Sequence, residues 1–428
     1  TGTAGGNLYG GSRQYSWVTG DTEVEIKDNA SIAGSVFGGG IGDGYKGNDG
    51  VGGNTSITVS GSAEVAGDIY GGGETSNGDD GGYSVKGNTE ITIRDNASVH
   101  SIYAGGKAGT VGGTGTITVC GGTFAAGSVI DGANVAGGTT LNLENVASVA
   151  DVTFRNLALV NVKQDMAYSL NRFVNVAEIS ISAGKTLTLD AANADVTLGS
   201  DVTGDGKFVI TNGKTVYAAG RNITLSDSSV NMIAGATYSP GAGNSKDFAE
   251  TNLTLNNVTA ASSVYGGSYY TDHVGTANLT INGGTYNGRV VGGSTCDDYN
   301  ENIVVDRTNV VITAGTFKQE VYGGGNAAST VKAGSSLTIS GGSGRSVVGD
   351  WELVDGIAVE KAGSPKADSS LTISGGTFNT NGATGGVYGG NAHGFVTGNA
   401  SVTITGDGKV SIRGLVVGGN NASSPSGR

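Results

Sequence analysis

One short pattern recurs along the chain: an alternating strand, a corner, a second strand, and then a hinge of apolar-aromatic-Gly-Gly type. Its clearest copies lead from residues 55–59 to Ile69-Tyr70-Gly71-Gly72-Gly73, and from 309–312 to Val321-Tyr322-Gly323-Gly324-Gly325. Others pair 23–26 with Val36-Phe37-Gly38-Gly39, 90–93 with Ile102-Tyr103, 253–255 with Val264-Tyr265-Gly266-Gly267, and 371–373 with Val387-Tyr388-Gly389-Gly390. Equivalent strands recur at intervals of roughly 24 to 34 residues, a period at which no unit can bury its apolar face alone. Successive units must therefore stack on one another.

Within each copy apolar residues alternate with Thr, Asn or Ser, the period-two mark of a strand with one buried face. Ile57 and Val59 are expected to point inward, with Thr58 and Ser60 toward solvent. Rows of Thr and Asn can hydrogen-bond from one unit to the next. Gly283-Gly284, Gly375-Gly376 and Asp95-Asn96 supply residues that tolerate positive φ at the corner. No capped segment of helical period occurs, so the chain reads as all-β. Blades of a propeller need four strands and these units are too short for that. A single-stranded parallel β-helix with loop excursions is the architecture that fits.

The pattern divides the chain into a decorated block over 1–150, a plainer stretch over 151–245 and a second decorated block over 246–428, with one continuous core expected. In the middle stretch Ile179-Ser180-Ile181, Leu187-Thr188-Leu189 and Ile223-Thr224-Leu225 still alternate, but the Tyr-Gly-Gly hinge is gone. Residues 166–173 are the least strand-like there and suggest a small excursion.

Composition narrows the function classes. The 80 glycines accompany only 3 prolines, so glycine punctuates strands and does not build collagen or a disordered linker. A net charge of −13 disfavours nucleic acid and anionic membrane as partners. Cys120 and Cys296 fall about six units apart, on the order of 30 Å at strand spacing, so two free thiols are expected. No apolar run is long enough for a membrane-spanning helix. The chain starts at Thr1 in the second half of a unit and ends just after a hinge, which reads as a piece of a longer protein.

Long excursions follow each hinge, over 40–54, 73–88, 267–277, 293–308, 349–369 and 390–399. If the hinges align, these loops form one ridge, where binding residues of repeat proteins gather. The ridge candidates are Asp43, Tyr45, Asp79, Asp80, Tyr83, Tyr269, Tyr270, Asp297, Asp298, Tyr299 and Trp351, with Asp272 among the further acids. Exposed aromatic faces stack on sugars or anchor protein partners. The hinge aromatics Phe37, Tyr70, Tyr103, Tyr265, Tyr322 and Tyr388 are expected to be structural instead, because Val291, Val348 and Val417 stand at the same position.

Catalytic signals are weak. His100, His273 and His393 are isolated, without metal-ligand spacing, and no nucleophile elbow or phosphate loop occurs. Gly39-Gly40-Ile41-Gly42-Asp43 is one residue short of a calcium β-roll element and has no tandem copies. The paired acids Asp79-Asp80 and Asp297-Asp298 leave calcium as an open alternative. The expectation is a chain that is not an enzyme, with no cofactor and no metal centre.

The hinges, the rungs of the type at 336–342 and 370–378, and the segments Ala183-Gly184-Lys185-Thr186-Leu187-Thr188-Leu189 and Thr203-Gly204-Asp205-Gly206-Lys207 carry a resemblance. On them the chain resembles passenger domains of Gram-negative autotransporters and related bacterial surface adhesins. The resemblance implies a secreted, right-handed β-helix at the cell surface, attached to an outer-membrane barrel that this chain does not include. It implies adhesion to a host glycan or surface protein, or cell–cell aggregation. A self-associating structural fibre and a polysaccharide-active or tailspike-like β-helix are the alternatives.

Overall fold

The computed structural model describes residues 2–13, 16–41, 50–74, 83–146, 151–237, 246–270, 272–295, 303–325, 329–345, 353–354, 368–379, 386–389, 398–406 and 409–419. Of the sequence candidates, Asp43, Tyr45, Asp79, Asp80, Asp297, Asp298, Tyr299 and Trp351 lie outside these residues, as do Cys296 and His393. Strands dominate, and the one helical element among the described residues is a three-residue 3-10 turn at Leu170–Arg172. That turn falls inside the predicted excursion at 166–173.

Two compact units form, Thr1–Thr188 with Gly199–Lys207, and Leu189–Leu198 with Phe208–Arg428. In the first, Thr22–Ile26 pairs in parallel with Thr55–Val59, which pairs with Thr89–Val99, then Gly115–Phe124 and Thr139–Leu143. A second column carries the hinges: Leu8–Tyr9, Val36–Phe37, Ile69–Tyr70 and Ile102–Tyr103. Side-chain bonds between neighbouring copies span 34 residues at Asn54–Asn88 and only 19 at Asn142–Asn161, so the copies shorten toward the plain stretch. In the second unit the same arrangement runs through Asn222–Ser226, Asp247–Asn256, His273–Tyr286, Ile303–Phe317, Ser329–Ile339, Ser369–Ile373 and Ala400–Ile404.

Strict register follows from the period-two pattern, because a one-residue slip would turn every apolar residue outward. Ile57, Ile91, Ile117 and Leu141 thus fall in one fully buried row, as Leu253, Leu279, Val310 and Leu337 do in the second unit. Outward rows form side-chain ladders. Asn252 donates to Asn222 at 2.5 Å, Asn278 to Asn252 at 2.8 Å and Asn309 to Asn278 at 2.8 Å, and Ser336 continues the row at 3.1 Å.

One buried row is polar. Thr22, Thr55 and Thr89 each donate a hydroxyl hydrogen to the hinge carbonyl of their own copy, at Gly38, Gly71 and Ala104, over 2.7, 2.7 and 2.9 Å. Thr251 does the same to Gly266 at 2.7 Å. The bond ties the first strand to the hinge and satisfies a carbonyl that would otherwise be orphaned in the interior.

Ser60, expected toward solvent, is buried, because the strand and its alternation end at Val59 and Ser60 opens the turn that Ala63 N closes by donating to its carbonyl at 3.3 Å. At the corners positive φ is found at Asp95, Gly283, Gly284 and Gly376, while Asn96 and Gly375 keep ordinary backbone. The hinge glycines serve another purpose, close approach. A Cβ at Gly38 would lie 2.5 Å from the Gly71 carbonyl oxygen, so these two hinges approach as they do only without a side chain at Gly38.

Candidate ligand-binding site

The hinge column behaves differently in the two units. In the first, Tyr9, Phe37, Tyr70 and Tyr103 stack face to face, with centroids 5.0, 4.9 and 4.7 Å apart and planes within 10°. Each ring covers the next, which is worth about 0.5–1.5 kcal/mol per pair beyond area burial. The hydroxyl ends meet polar partners. Tyr9 donates to Glu74, which also accepts from Lys107 at 3.1 Å, and Tyr70 donates to Asp68 at 3.3 Å. Burial, then the bond to Glu74, pushes the Tyr9 phenol up. Burial would raise Glu74 as well, but the bonds from Tyr9 and Lys107 outweigh it and hold its carboxyl below the usual range. Asp68 also meets Nδ1 of His100 at 2.6 Å.

In the second unit the column reads Tyr217, Ala234, Tyr265, Val291 and Tyr322. Ala234 and Val291 are the register neighbours of Tyr265 in this column. Tyr269, four residues on, packs against the column, its ring stacked on Tyr265 at 5.4 Å and 26°. Tyr270 then stands against Tyr269 edge-on, at 5.4 Å and 83°. Both rings of the pair are half-buried, while Tyr265 is buried.

A buried polar network fixes this turn. The amide of Ser268 donates to Ser294 Oγ at 2.8 Å, and Thr295 N donates to the Ser268 carbonyl at 3.1 Å. Tyr270 N donates to the Thr295 carbonyl at 3.1 Å. Asp272, fully buried, accepts from Thr237 N at 3.1 Å, Thr237 Oγ1 at 2.5 Å and Lys246 N at 2.9 Å, and its own amide donates to Ser268 Oγ at 3.3 Å. Its charge is thereby spent on three donors inside the protein. An acid in a loop reads as solvated from sequence; this one is the anchor of the turn.

Tyr270 has φ of 124°, a region that a residue with a bulky side chain rarely enters. Holding it there costs on the order of 1–3 kcal/mol and persists only where the surroundings over-determine the backbone. The bonds through Ser268, Thr295 and Asp272 supply that determination.

Of the remaining ridge candidates, Tyr83 begins the strand Tyr83–Val85, with only its backbone described, and the same holds for Tyr388 in Gly386–Tyr388. Tyr322 is buried in the hinge column. A separate polar groove of about 520 Å³ lies in the first unit over Asp21, Glu23, Asn54, Ser56, Asn88 and Glu90, with Thr22, Thr55 and Thr89 also lining it. His273 sits between Asp247 and Asp306, 3.4 Å from each, with a different ring nitrogen facing each carboxylate. Among the described residues no group of His, Cys, Asp or Glu has the arrangement of a metal site. Cys120 is a free, half-buried thiol, pushed up by burial first and by Glu144 second.

No family model matches the chain, and neither a curated protein nor a solved structure matches it.

Proposed function

We propose that this chain is a non-enzymatic, extracellular β-helix of right-handed, passenger-like type that presents a rigid aromatic turn for adhesion to a glycan. The observation that carries the reading is Tyr269–Tyr270: two half-buried rings at right angles, one backbone position strained, and a fully buried carboxylate holding the loop. Strain kept at a half-buried aromatic pair on the border of the core is the mark of a pre-organised contact. The acidic, hydroxyl-rich composition and the parallel repeats suit a surface protein of Gram-negative bacteria carried by an outer-membrane barrel.

The test is a glycan array probed with the whole chain and with a Tyr269→Ala, Tyr270→Ala, Trp351→Ala variant. Binding by the first and its loss in the second supports adhesion. Release of reducing ends or unsaturated sugars from a polysaccharide panel would replace this reading with an enzymatic one.

A second reading, self-association as a surface fibre, draws on a separate observation. Two adjacent outward rows of the second unit, Asn222, Asn252, Asn278 and Asn309 beside Thr224, Thr254 and Thr280, hold no charged residue on a chain of net −13, with Glu250 bonded to Asn278 at their border. Such a face lets like-charged copies approach. Sedimentation that depends on concentration, and that Asn278→Asp abolishes, would favour it.

A further inference from the structure

Three adjacent outward rows of the second unit form a regular two-dimensional lattice. The central row runs from Thr224 through Thr254, Thr280, Val311, Thr338 and Thr372 to Thr403, in strict register. Every member is β-branched, so each copy sets a methyl group at the same place. The row is exposed at Thr224, Val311, Thr338 and Thr403 and half-buried at the others, so its methyls and hydroxyls meet water. Val311, 39% exposed, keeps the methyl and gives up the hydroxyl. The flanking rows are tied along the stack. On one side run the bonds from Asn222 to Ser336, and on the other Asn282 donates to Asn256 at 3.0 Å and Thr313 to Asn282 at 2.7 Å. Side-chain ladders of this kind resist sheet twist. No residue of the three rows is charged, on a chain of net −13. Charge begins at their borders, with Glu250, Arg307 and Asp368 on one side and Asp227 on the other.

From this lattice we infer that the face adsorbs to ice, a function beyond the glycan reading and independent of its residues. Parallel strands lie ~4.8 Å apart, and outward residues recur every ~6.6 Å along a strand. Both repeats are close to those of the oxygen atoms on a prism face of ice. A hydroxyl donates one hydrogen bond and accepts two, so a threonine Oγ1 stands in for a lattice oxygen. The methyl beside it restricts the orientation of first-shell water and favours an ordered cage. Water held at this repeat joins a crystal with little further ordering. A charged group would hold a hydration shell of its own geometry, and these rows contain none. An uncharged face thus matches a neutral crystal. A second copy of the chain is the competing occupant.

The experiment holds a single ice crystal in a solution of the whole chain and reads its shape and the gap between its melting and growth temperatures. Three variants accompany it, each checked for folding by circular dichroism. Thr280→Glu with Thr338→Glu puts two carboxylates into the central row, and Thr280→Ser with Thr338→Ser removes two methyls while keeping both hydroxyls. Thr92→Glu places a charge on an outward strand position of the first unit. The expected result is a faceted crystal and a measurable gap for the wild-type chain and for Thr92→Glu, a smaller gap for the serine pair and none for the glutamate pair. A round crystal without a gap in the wild-type chain overturns the inference. A gap that survives both paired variants overturns this face as its location. Concentration-dependent sedimentation that the glutamate pair abolishes, in a chain that leaves ice unshaped, gives the face to a second copy and overturns ice as its occupant.

Discussion

The same hinge position builds an unbroken aromatic stack in one unit and a mixed column of aromatic and small residues in the other. From Tyr9 to Tyr103 every hinge residue is aromatic, and successive rings consume each other's faces. Around Tyr265 the register neighbours are Ala234 and Val291, and Tyr269 from the loop stacks on its ring. A small residue in a structural column is thus what turns a scaffold aromatic into the base of a candidate site. Repetition supplies stability, and a local break in it supplies a surface.

Substitutions can break that contrast, starting with the largest effect. Phe37→Ala removes a fully buried ring stacked on both sides and is expected to cost about 3–5 kcal/mol, read as a lower urea midpoint of the first unit. A smaller loss would mean that the stack is incidental to stability. Asp272→Ala leaves Thr237 N–H, Thr237 O–H and Lys246 N–H without their acceptor and is expected to cost about 3 kcal/mol, with faster hydrogen exchange at the amides of 268–270. Exchange unchanged there would show that the carboxylate does not hold the turn.

Alkaline pH acts mainly through burial. The phenols of Tyr70, Tyr168 and Tyr286 are all raised, chiefly by burial, so the folded state holds their protons more tightly than the unfolded chain does. Their contribution is complete below the unfolded phenol value near 10 and is lost as pH rises from there toward the folded values. Unfolding midpoints should therefore fall above about pH 10. Tyr168, whose hydroxyl has no partner, is the informative case: Tyr168→Phe should leave neutral-pH stability within about 1 kcal/mol or improve it, and lessen the alkaline loss. The smallest effect is expected at Tyr270→Gly, where relief of strain offsets the lost ring contact, for a net change within about 1 kcal/mol of wild type. A large destabilisation would place Tyr270 in the scaffold with Phe37.

The hinge column was legible because its period is written in residues of one kind: Tyr70 and Tyr322 announce a shared position, and register does the rest. Tyr269 and Tyr270 were legible as aromatics directly after a hinge. Their geometry was not, since it depends on what stands one copy away, at Ala234 and Val291. Asp272 shows a second limit. Its burial is set by donors 35 and 26 residues earlier, at Thr237 and Lys246, and no local pattern marks such an acid as interior. The Thr22, Thr55 and Thr89 row escaped for the same reason, because a threonine that opens a strand looks alike whether it faces water or a hinge carbonyl.

The most direct test sets equivalent hinge positions against each other. Tyr70→Val and Tyr265→Val each remove a buried ring from the hinge position, which holds valine in the second unit at Val291 and Val417. With both variants shown to be folded, titration with a glycan that the whole chain binds on the array should find Tyr265→Val weakened ~tenfold or more, equivalent to about 1.4 kcal/mol, and Tyr70→Val unchanged. Equal affinity in the two variants would contradict the account, because the Tyr265 ring beneath Tyr269 would then have no part in binding.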